Sequence, residues 1–391
     1  MSQHTTPIPL VDLVSQQAEV ADEVRAGLDD VLAACAFVGG PVVDAFEREY
    51  AAHVGARHCV GVANGTDALE LALRAVGVGR DDEVVLPANT FVATAEAVSR
   101  LGAVPVPVDV DDEHLLIDAA AVRRAVTSRT RALVPVHLFG QCAPVEALLD
   151  IGRDLGVPVV EDAAQAQGAR RHGRPAGSLG AAAATSFYPG KNLGAAGDAG
   201  AVTTDDPEVA RLVRMVAAHG SEQKYVHAEI GVNSRLDAVQ AVVLRAKLAR
   251  LEAWNARRRR AARRYDALLE GVPGVRRPSE AAGNQHVWHL YVVRVADRDR
   301  VLARLHEAGI GAGIHYPTPV HRTEAYAGLG LGAGSFPVAE RAAGEILSLP
   351  MYPHLTAEAQ ERVVSVLTAA VTAPVTAPVA APVAAPVGAR R

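Results

Sequence analysis

The chain has few cysteines, and they lie far apart. Only Cys35, Cys59 and Cys142 occur among its 391 residues, and no pair has the CxxC spacing. An odd number of scattered cysteines argues against a disulfide framework, a zinc ribbon or an iron–sulfur motif that is local in sequence. The 14 histidines are scattered as well and include no HExxH motif, so we expect no metal site.

An excess of positive charge and long apolar runs are also missing. The 39 Lys and Arg residues against 44 Asp and Glu residues give a net charge of −5, so neither nucleic acid nor an anionic membrane is an expected partner. The N-terminus has neither the basic flank nor the apolar core of a signal peptide, and no uncharged apolar stretch of about 18 residues precedes the tail. We therefore expect a cytoplasmic protein.

Lysine is scarce. Lys191, Lys224 and Lys247 are the only lysines among the 39 basic residues. Chemistry that requires an amine therefore has three candidate side chains. Lys247 lies in a charged helical pattern, and we expect it to be solvated.

The fold class follows from apolar runs that alternate with helical patterns between about residues 59 and 205. This alternation is typical of βα units on a mostly parallel sheet with both faces covered. Seven strand candidates predict an α/β fold, with a large domain over residues 1–250 and a smaller α+β domain over residues 251–370. A helical pattern from about Ser234 predicts a connecting helix or helix pair. Residues 371–391 contain proline at a four-residue period, which predicts a disordered Pro/Ala/Val tail.

Two carboxylates follow the apolar strand at residues 157–160. Glu161 and Asp162 are therefore expected at the C-terminal end of a buried strand, where open α/β sheets bind their ligands. A carboxylate there is suited to bind a metal, to act as a general base or to hold a protonated ring nitrogen, and a solvated loop acid is equally consistent with the sequence. Gln165 lies close enough along one helical turn to reach the same ligand.

Lys191 follows a strand that breaks at Pro189 and Gly190. This segment of small and apolar residues suits a buried amine, and desolvation would lower the pKa of that amine and make it a nucleophile able to form a Schiff base with a carbonyl. An exposed loop lysine is the alternative. A phosphate-binding P-loop is excluded, because GxxxxGK[ST] requires glycine at Thr185 and Ser or Thr at Asn192.

Three further segments complete a possible cofactor site. Free N–H groups at a helix start near Gly65 and Thr66 predict an anion site, with a simple N-cap as the alternative. Ser186 is placed to add a hydroxyl, and Phe91 either stacks on a flat cofactor or belongs to the core. A phosphate cradle, an acid, a ring and an amine at strand ends are what pyridoxal 5′-phosphate requires. No GxGxxG motif follows the first strand, which argues against a nucleotide-dependent redox enzyme.

The order and spacing of these motifs resemble the sugar aminotransferases of the DegT/DnrJ/EryC1/StrS group. The resemblance extends from about Ile8 to about His354, through NGTDAL, PANTF, VPVHLFGQ, VEDAAQAQGA, SFYPGKNLGAAGDAG, GSEQKY and GVNSRLDAVQAVVL. It implies a type I aminotransferase-like fold with a mostly parallel seven-stranded sheet, and a homodimer with active sites at the subunit interface. Ala199 stands where the common GDGG motif has glycine, and no assigned role depends on it.

By this resemblance the cofactor is pyridoxal 5′-phosphate, and Lys191 and Asp162 are the catalytic residues. Lys191 would bind the cofactor covalently, Asp162 would pair with the pyridine nitrogen, and Gln165 would lie near the phenolic oxygen. The remaining cofactor contacts implied are Gly65, Thr66 and Ser186 at the phosphate, Phe91 on the ring face and Asn233 from the partner subunit.

The resemblance also implies L-glutamate as the usual amino donor and a keto sugar as the acceptor. The segments GSEQKY, GVNSRLD and VWHLYVV are most similar to the branch that aminates carbon 3 of nucleotide-linked 3-keto-6-deoxyhexoses for antibiotic sugars, which predicts a dTDP-linked acceptor. A 4-keto sugar, a keto-inositol and an aminobenzoate precursor are alternatives. Candidate substrate contacts are Lys224, Tyr225, His227, His315 and Tyr316, and the histidines are equally consistent with a structural or surface role.

Two other functional classes predict that the lysine or the acid of an aminotransferase is replaced. Sugar 3-dehydratases resemble these aminotransferases but carry histidine in place of the lysine, so Lys191 argues against that class. A non-catalytic regulator that keeps the fold is expected to lack the lysine or the acid. Lys191 and Asp162 are both present.

Overall fold

The computed structural model describes residues 6–373, in which strands and helices alternate through most of the first half. The strands are β1 (His58–Val62), β2 (Glu83–Pro87), β3 (Val104–Val108), β4 (Thr130–Leu133), β5 (Val160–Asp162), β6 (Arg170–Arg171), β7 (Arg174–Pro175), β8 (Ala182–Ser186), β9 (Gly200–Thr204), β10 (Ser221–Gln223), β11 (Val226–His227), β12 (Val275–Arg276), β13 (Asn284–Gln285), β14 (Tyr291–Val295) and β15 (Ile346–Leu349). The helices are α1 (Leu13–Ala18), α2 (Ala21–Ala34), α3 (Pro41–Val54), α4 (Gly65–Ala75), α5 (Val92–Arg100), α6 (Ala119–Ala125), α7 (Val145–Leu155), α8 (Pro207–Ala217), α9 (Ala238–Leu268), α10 (Arg298–Glu307), α11 (Pro337–Glu345) and α12 (Ala357–Thr372). Short 3₁₀ helices cover Leu138–Gly140, Val320–Arg322 and Glu324–Leu329.

The seven predicted strands form the large sheet. One block has the order β1-β9-β8-β5 and the other the order β3-β2-β4. Isolated parallel bridges from Leu133 to Val159 and from Val136 to Asp162 join the blocks between β4 and β5. β9 runs antiparallel to β1 and β8, and the other pairings are parallel. The prediction of an α/β fold with a mostly parallel sheet is confirmed.

Burial on both faces explains why these strands have continuous apolar sequences. All residues of β2 are buried. Val84 and Leu86 pack with α4 and α5, whereas Val85 between them packs on the opposite face with α6 and α7. Because successive side chains of a strand alternate between faces, a sheet covered on both sides requires apolar residues at every position.

One long helix, α9, leads from the large sheet to the small domain. It contains 31 residues and is a single helix rather than a pair. The domain boundary predicted at residue 250 falls inside this helix. Although α9 is long, it carries many arginines, and no helix between residues 6 and 373 is both long and apolar enough to span a membrane.

The small domain is built on the antiparallel sheet β12-β14-β15, with α10 and α12 packed together beside it. The N-terminal segment joins this domain, although we predicted it as part of the large one. Ile8 forms a parallel bridge with Ile310, and the N–H of Met351 donates to the carbonyl of Leu10 at 3.1 Å. These main-chain bonds attach the segment to the small domain.

The predicted tail begins slightly too early. α12 continues through Val371 to Thr372, two residues beyond the predicted boundary. The helix stops there because Pro374 disfavours helical backbone at the preceding residue, and Ala373 has the extended conformation. The rest of the predicted tail, residues 374–391, lies outside the described residues.

Glu161 anchors the end of β5 through hydrogen bonds on one face of the sheet. It is fully buried and accepts hydrogen bonds from Nε2 of His137 at 2.8 Å and from the N–H groups of Gly177 and Gly180 at 2.9 and 2.8 Å. Burial by itself raises the pKa of Glu161, but the hydrogen bonds from His137 and the backbone outweigh it, so the pKa lies below its usual value. The next residue, Asp162, faces the other side.

We expect Glu161→Ala to lower the melting temperature by at least about 6 °C, because breaking a buried pair leaves His137 and several N–H groups without a partner. Thermal unfolding followed by circular dichroism measures this. The control is Glu307→Ala, which removes an ion pair with Arg304 whose two side chains are largely exposed, and which should change the melting temperature by less than about 3 °C. Equal losses in the two variants would contradict the anchoring role of Glu161.

Candidate active site

A cavity of about 560 Å³ opens at the C-terminal ends of β1, β2, β4, β5 and β8. The loops that follow these strands supply one side of its wall, within residues 64–66, 90–94, 136–138, 162–165 and 186–191. The small domain and the N-terminal segment supply the other side. Ligands of open α/β sheets bind at this end of the strands.

The cavity brings together most of the predicted site residues, namely Gly65, Thr66, Phe91, Asp162, Gln165, Ser186, Lys191, His315 and Tyr316. It does not include Lys224, Tyr225, His227 or Asn233. The first three of these lie on or beside the exposed hairpin β10-β11, where Tyr225 is 82% exposed. Asn233 is exposed and accepts a hydrogen bond from Arg235 at 3.1 Å. Within one chain these four residues do not contribute to the cavity.

The N-terminus of α4 forms one end of the cavity. Oδ1 of Asn64 accepts a hydrogen bond from the N–H of Asp67 at 2.8 Å and so caps the helix. The N–H groups of Gly65 and Thr66 have no acceptor within the helix and are available to an anion. A Cβ atom at Gly65 would overlap the side chain of Ser186, so glycine is required for the close approach of helix and strand.

The Asp162 carboxylate is held by two hydrogen bonds. Its Oδ2 accepts from the hydroxyl of Thr94 at 2.8 Å, and its Oδ1 accepts from the N–H of Ala164 at 3.2 Å. The Thr94 hydroxyl lies 2.8 Å from that of Thr90. The sequence analysis missed these two threonines, of which Thr90 precedes α5 and Thr94 lies in its first turn.

Lys191 lies in a turn that its own N–H closes by donating to the carbonyl of Tyr188 at 2.8 Å. Burial lowers the pKa of Lys191 to about 8, against the opposing effect of the negative charge of Asp162. Part of this amine is therefore unprotonated near neutral pH, as a nucleophile requires. The prediction that Lys247 is solvated is wrong: it is buried and donates to the carbonyl of Gly194 at 2.9 Å, which anchors the loop that follows Lys191.

Aromatic and amide groups form the wall near Asp162. The rings of Phe91 and Tyr316 lie 5.0 Å apart between centroids. Gln165 donates through Nε2 to the Tyr316 hydroxyl at 3.0 Å and accepts through Oε1 from the N–H of Phe139 at 2.6 Å. Burial raises the pKa of Tyr316, so its hydroxyl stays protonated.

Two histidines lie in the cavity with Lys191, and the sequence analysis missed one of them, His289. Burial lowers the pKa of His315 to about 4, with a further contribution from the charge of Lys191. Burial also lowers the pKa of His289 well below its usual value. Both imidazoles are therefore neutral at physiological pH. The WHLY segment offered no periodicity that would have marked His289 as a cavity residue.

This arrangement fits an aromatic aldehyde that carries a phosphate. Gly65, Thr66 and Ser186 form an anion cradle at one end, Asp162 offers a carboxylate to a ring nitrogen, and Lys191 offers an amine to an aldehyde. Between residues 6 and 373, no three His, Cys, Asp or Glu side chains converge as metal ligands.

The sequence profile of the DegT/DnrJ/EryC1/StrS aminotransferase family matches residues 18–368. The chain belongs to this family. As a member of the DegT/DnrJ/EryC1/StrS aminotransferase family it is an aminotransferase that depends on pyridoxal phosphate, and the cavity residues described above are suited to hold that cofactor.

Two relatives and one solved structure illustrate the similarity within the family. The chain is 49% identical over 362 residues to the erythromycin biosynthesis sensory transduction protein EryC1 of Saccharopolyspora erythraea, covering 93% of this chain and 99% of EryC1. It is 49% identical over 367 residues to the dTDP-3-amino-3,4,6-trideoxy-alpha-D-glucose transaminase of Micromonospora megalomicea subsp. nigra, covering 93% and 97% of the two chains. DesV of S. venezuelae, solved in complex with a ketimine intermediate, superimposes with a TM-score of 0.91 at 46% identity, covering 93% and 98% of the two chains.

We expect Gly65→Ala to weaken cofactor binding by at least roughly tenfold, because the added methyl group pushes the α4 terminus away from Ser186 and distorts the anion cradle. Titration of the cofactor-free protein with pyridoxal phosphate measures the affinity. Gly344→Ala is the matched control, since a Cβ at that position meets no atom within 4 Å. Unchanged affinity in the Gly65 variant would show that the cradle does not bind the phosphate.

Proposed function

We propose that this aminotransferase transfers the amino group of L-glutamate to carbon 3 of a dTDP-linked 3-keto-6-deoxyhexose, as a step in the biosynthesis of an antibiotic amino sugar. The observation that carries the proposal is the cavity in which Lys191 and Asp162 face an anion cradle. The transaminase from Micromonospora megalomicea subsp. nigra, 49% identical to this chain, has a name that specifies a dTDP-linked 3-amino sugar.

The residues divide the chemical work according to their surroundings. Pyridoxal phosphate, when bound, supplies an electron sink for the pair released at the carbon that loses its proton. Asp162, oriented by Thr94, would hold the ring nitrogen of the cofactor and favour its protonated form. Lys191 accepts the proton from the amino donor and returns it to the product, because its lowered pKa lets it serve as base and as acid.

The apolar part of the cavity wall supports a deoxysugar acceptor. Leu10 and Val11 of the N-terminal segment, together with Leu138 and Leu290, line the same cavity as these polar groups. A 6-deoxyhexose carries a methyl group where an ordinary hexose carries a hydroxymethyl group. Apolar contacts of this kind favour the methyl group, because a hydroxyl placed there loses its hydrogen bonds with water.

We also propose that the active form is a homodimer in which each cavity receives residues from both subunits. Lys224, Tyr225, His227 and Asn233 would then reach the cavity of the partner subunit, and His315 and Tyr316 would contact the substrate from the same chain. The support is the exposure of the hairpin region, where Tyr225 is 82% and Ile230 is 87% exposed. Large apolar side chains that protrude together indicate a contact surface.

The main test is a panel of dTDP- and UDP-linked keto sugars, each incubated with glutamate and analysed by mass spectrometry. We expect a yellow protein that converts the dTDP-3-keto-6-deoxyhexose to the amino sugar. Lys191→Ala should stay folded but lose the cofactor absorbance and the product, because no other amine lies in the cavity wall. Exclusive turnover of a UDP-linked or 4-keto sugar would replace the proposed acceptor. A folded wild-type protein that binds no cofactor and aminates no sugar would instead support a regulator, the class suggested by the name of EryC1.

Subunit complementation tests the shared cavities. Lys191→Ala and Asn233→Ala should each be inactive alone, the second through loss of a phosphate contact. After the two proteins are dissociated and reassociated together, we expect roughly a quarter of wild-type activity, because half of the dimers are hybrids and each hybrid has one intact site. Mixing Lys191→Ala with Asp162→Ala is the control, since both residues belong to the same wall and no intact site forms. Recovery in the control mixture, or none in the test mixture, would contradict sharing.

A further inference from the structure

A second cavity, of about 540 Å³, is lined by the C-terminal half of α9 and by the segment that follows β12. Its wall is rich in charged groups and includes Arg259, Arg263, Arg277, Asp266, Glu280 and Trp288. The active-site cavity shares none of these residues. The second cavity is therefore a separate site, and the chemistry of transamination leaves it unused.

Three guanidinium groups border this cavity. Arg259 and Arg263 lie four residues apart on α9, so their side chains project from the same face of the helix. Arg277 is held beside the C-terminal end of α9, because its Nη1 donates to the main-chain carbonyl of Asp266 at 2.6 Å. The helix and the segment after β12 thus bring the three arginines to one place.

The arginines at this cavity are less well paired than four others on α9. Ion pairs with glutamates outside the helix hold Arg245, Arg250, Arg257 and Arg264. In contrast, Arg263 has no hydrogen-bond or ion-pair partner among residues 6–373. Arg259 pairs with Glu252 at 2.7 Å, but the Glu252 side chain is 62% exposed, and Nη1 of Arg259 is buried without a partner. A buried donor without an acceptor is costly, so an anion in the cavity would be stabilised.

Two acids in the same wall restrict the kind of anion that fits. Oδ1 of Asp266 accepts from the Tyr291 hydroxyl at 2.6 Å, and Oε1 of Glu280 accepts from the N–H of His286 at 2.7 Å. The second carboxylate oxygen of each acid has no partner within the described part of the chain. These carboxylates repel a bare phosphate, but they accept hydrogen bonds from hydroxyl groups. The wall therefore suits a ligand that carries both a phosphate and hydroxyls.

Trp288 argues for a sugar rather than a nucleobase on that ligand. Its side chain is only 6% exposed, and its ring stacks on His286 with 3.9 Å between the ring centroids. Little aromatic surface is left on which a base could stack. The indole N–H has no acceptor among residues 6–373, and a buried tryptophan usually has one. An oxygen of a ligand in the cavity would supply it.

We propose that this cavity is a second binding site, which takes a sugar phosphate. Arg259, Arg263 and Arg277 bind the phosphate, because the planar guanidinium group matches phosphate oxygens with paired donors. Asp266 and Glu280 accept hydrogen bonds from the sugar hydroxyls. A nucleoside phosphate shares the phosphate chemistry, but it offers fewer hydroxyls and a base for which the cavity has little stacking surface.

Isothermal titration calorimetry tests the proposal on the full-length protein saturated with pyridoxal phosphate, so that the cofactor fills the anion cradle of the active site. The ligands are glucose 1-phosphate, glucose 6-phosphate, glucose, inorganic phosphate and thymidine 5′-monophosphate. We expect at least one sugar phosphate to bind roughly tenfold more tightly than the last three, because it alone satisfies both the arginines and the acids. Absence of binding by both sugar phosphates would overturn the proposal. So would equal or tighter binding of glucose, inorganic phosphate or the nucleotide.

Arg263→Ala should weaken binding of the sugar phosphate by at least roughly tenfold, because charge-assisted hydrogen bonds to the phosphate are lost. Arg263 is exposed and unpaired within the described residues, so its replacement should leave the fold intact. The matched control is Arg260→Ala, which removes another exposed arginine of α9 that does not line the cavity, and which should leave the affinity unchanged.

Unchanged affinity in Arg263→Ala, or an equal loss in Arg260→Ala, would overturn the proposal, because the binding would then lie elsewhere or depend only on overall charge. The titrations contain neither amino donor nor keto sugar. Their outcome is therefore independent of the proposed function, which the panel of nucleotide-linked keto sugars tests separately.

Discussion

Two consecutive carboxylates at the end of β5 point to opposite sides of the large sheet, and the active site depends on this alternation. Glu161 turns into the interior, where His137 and main-chain N–H groups hold it. Asp162 consequently turns toward the cavity, where Thr94 orients it. Glu161 makes the strand end rigid, and Asp162 is available to the site chemistry. A shift of register by one residue would turn each side chain to the opposite face of the sheet and abolish both functions.

The active site combines a fixed side with a side assembled from distant parts of the chain. Strand ends of the large sheet position the cradle, Asp162 and Lys191, and each is tied to main-chain groups within the sheet or its loops. The small domain and N-terminal segment add His289, His315 and part of the apolar wall. Lys247, on α9, ties its helix to the loop that follows Lys191. Polar groups for the common chemistry thus come mainly from the sheet, whereas the apolar lining comes from both sides, with Val136 and Leu138 on one and Leu10 and Leu290 on the other.

The sequence was sufficient to predict the sheet and the residues at its strand ends, because buried parallel strands leave continuous apolar runs and their chemical groups follow directly after them. His289 and Thr94 were missed because their places in the cavity depend on how a domain or a helix packs, which no local pattern records. Lys247 was misjudged for a related reason: its helix is highly charged, yet the loop after Lys191 packs on this residue. The attachment of Ile8 and Leu10 to the small domain was not predicted, because it depends on main-chain bonds and on burial of Ile8 among residues that are distant in the sequence.

The attachment of the N-terminal segment has a mechanical consequence. Ile8 and Leu10 are bonded to main-chain groups of the small domain, while Leu10 and Val11 form part of the wall above the strand ends. Any rotation of that domain therefore carries this piece of wall with it. Opening the site to admit a bulky substrate and tilting the small domain away from the sheet would be a single movement, with residues 8–11 acting as a strap between the two.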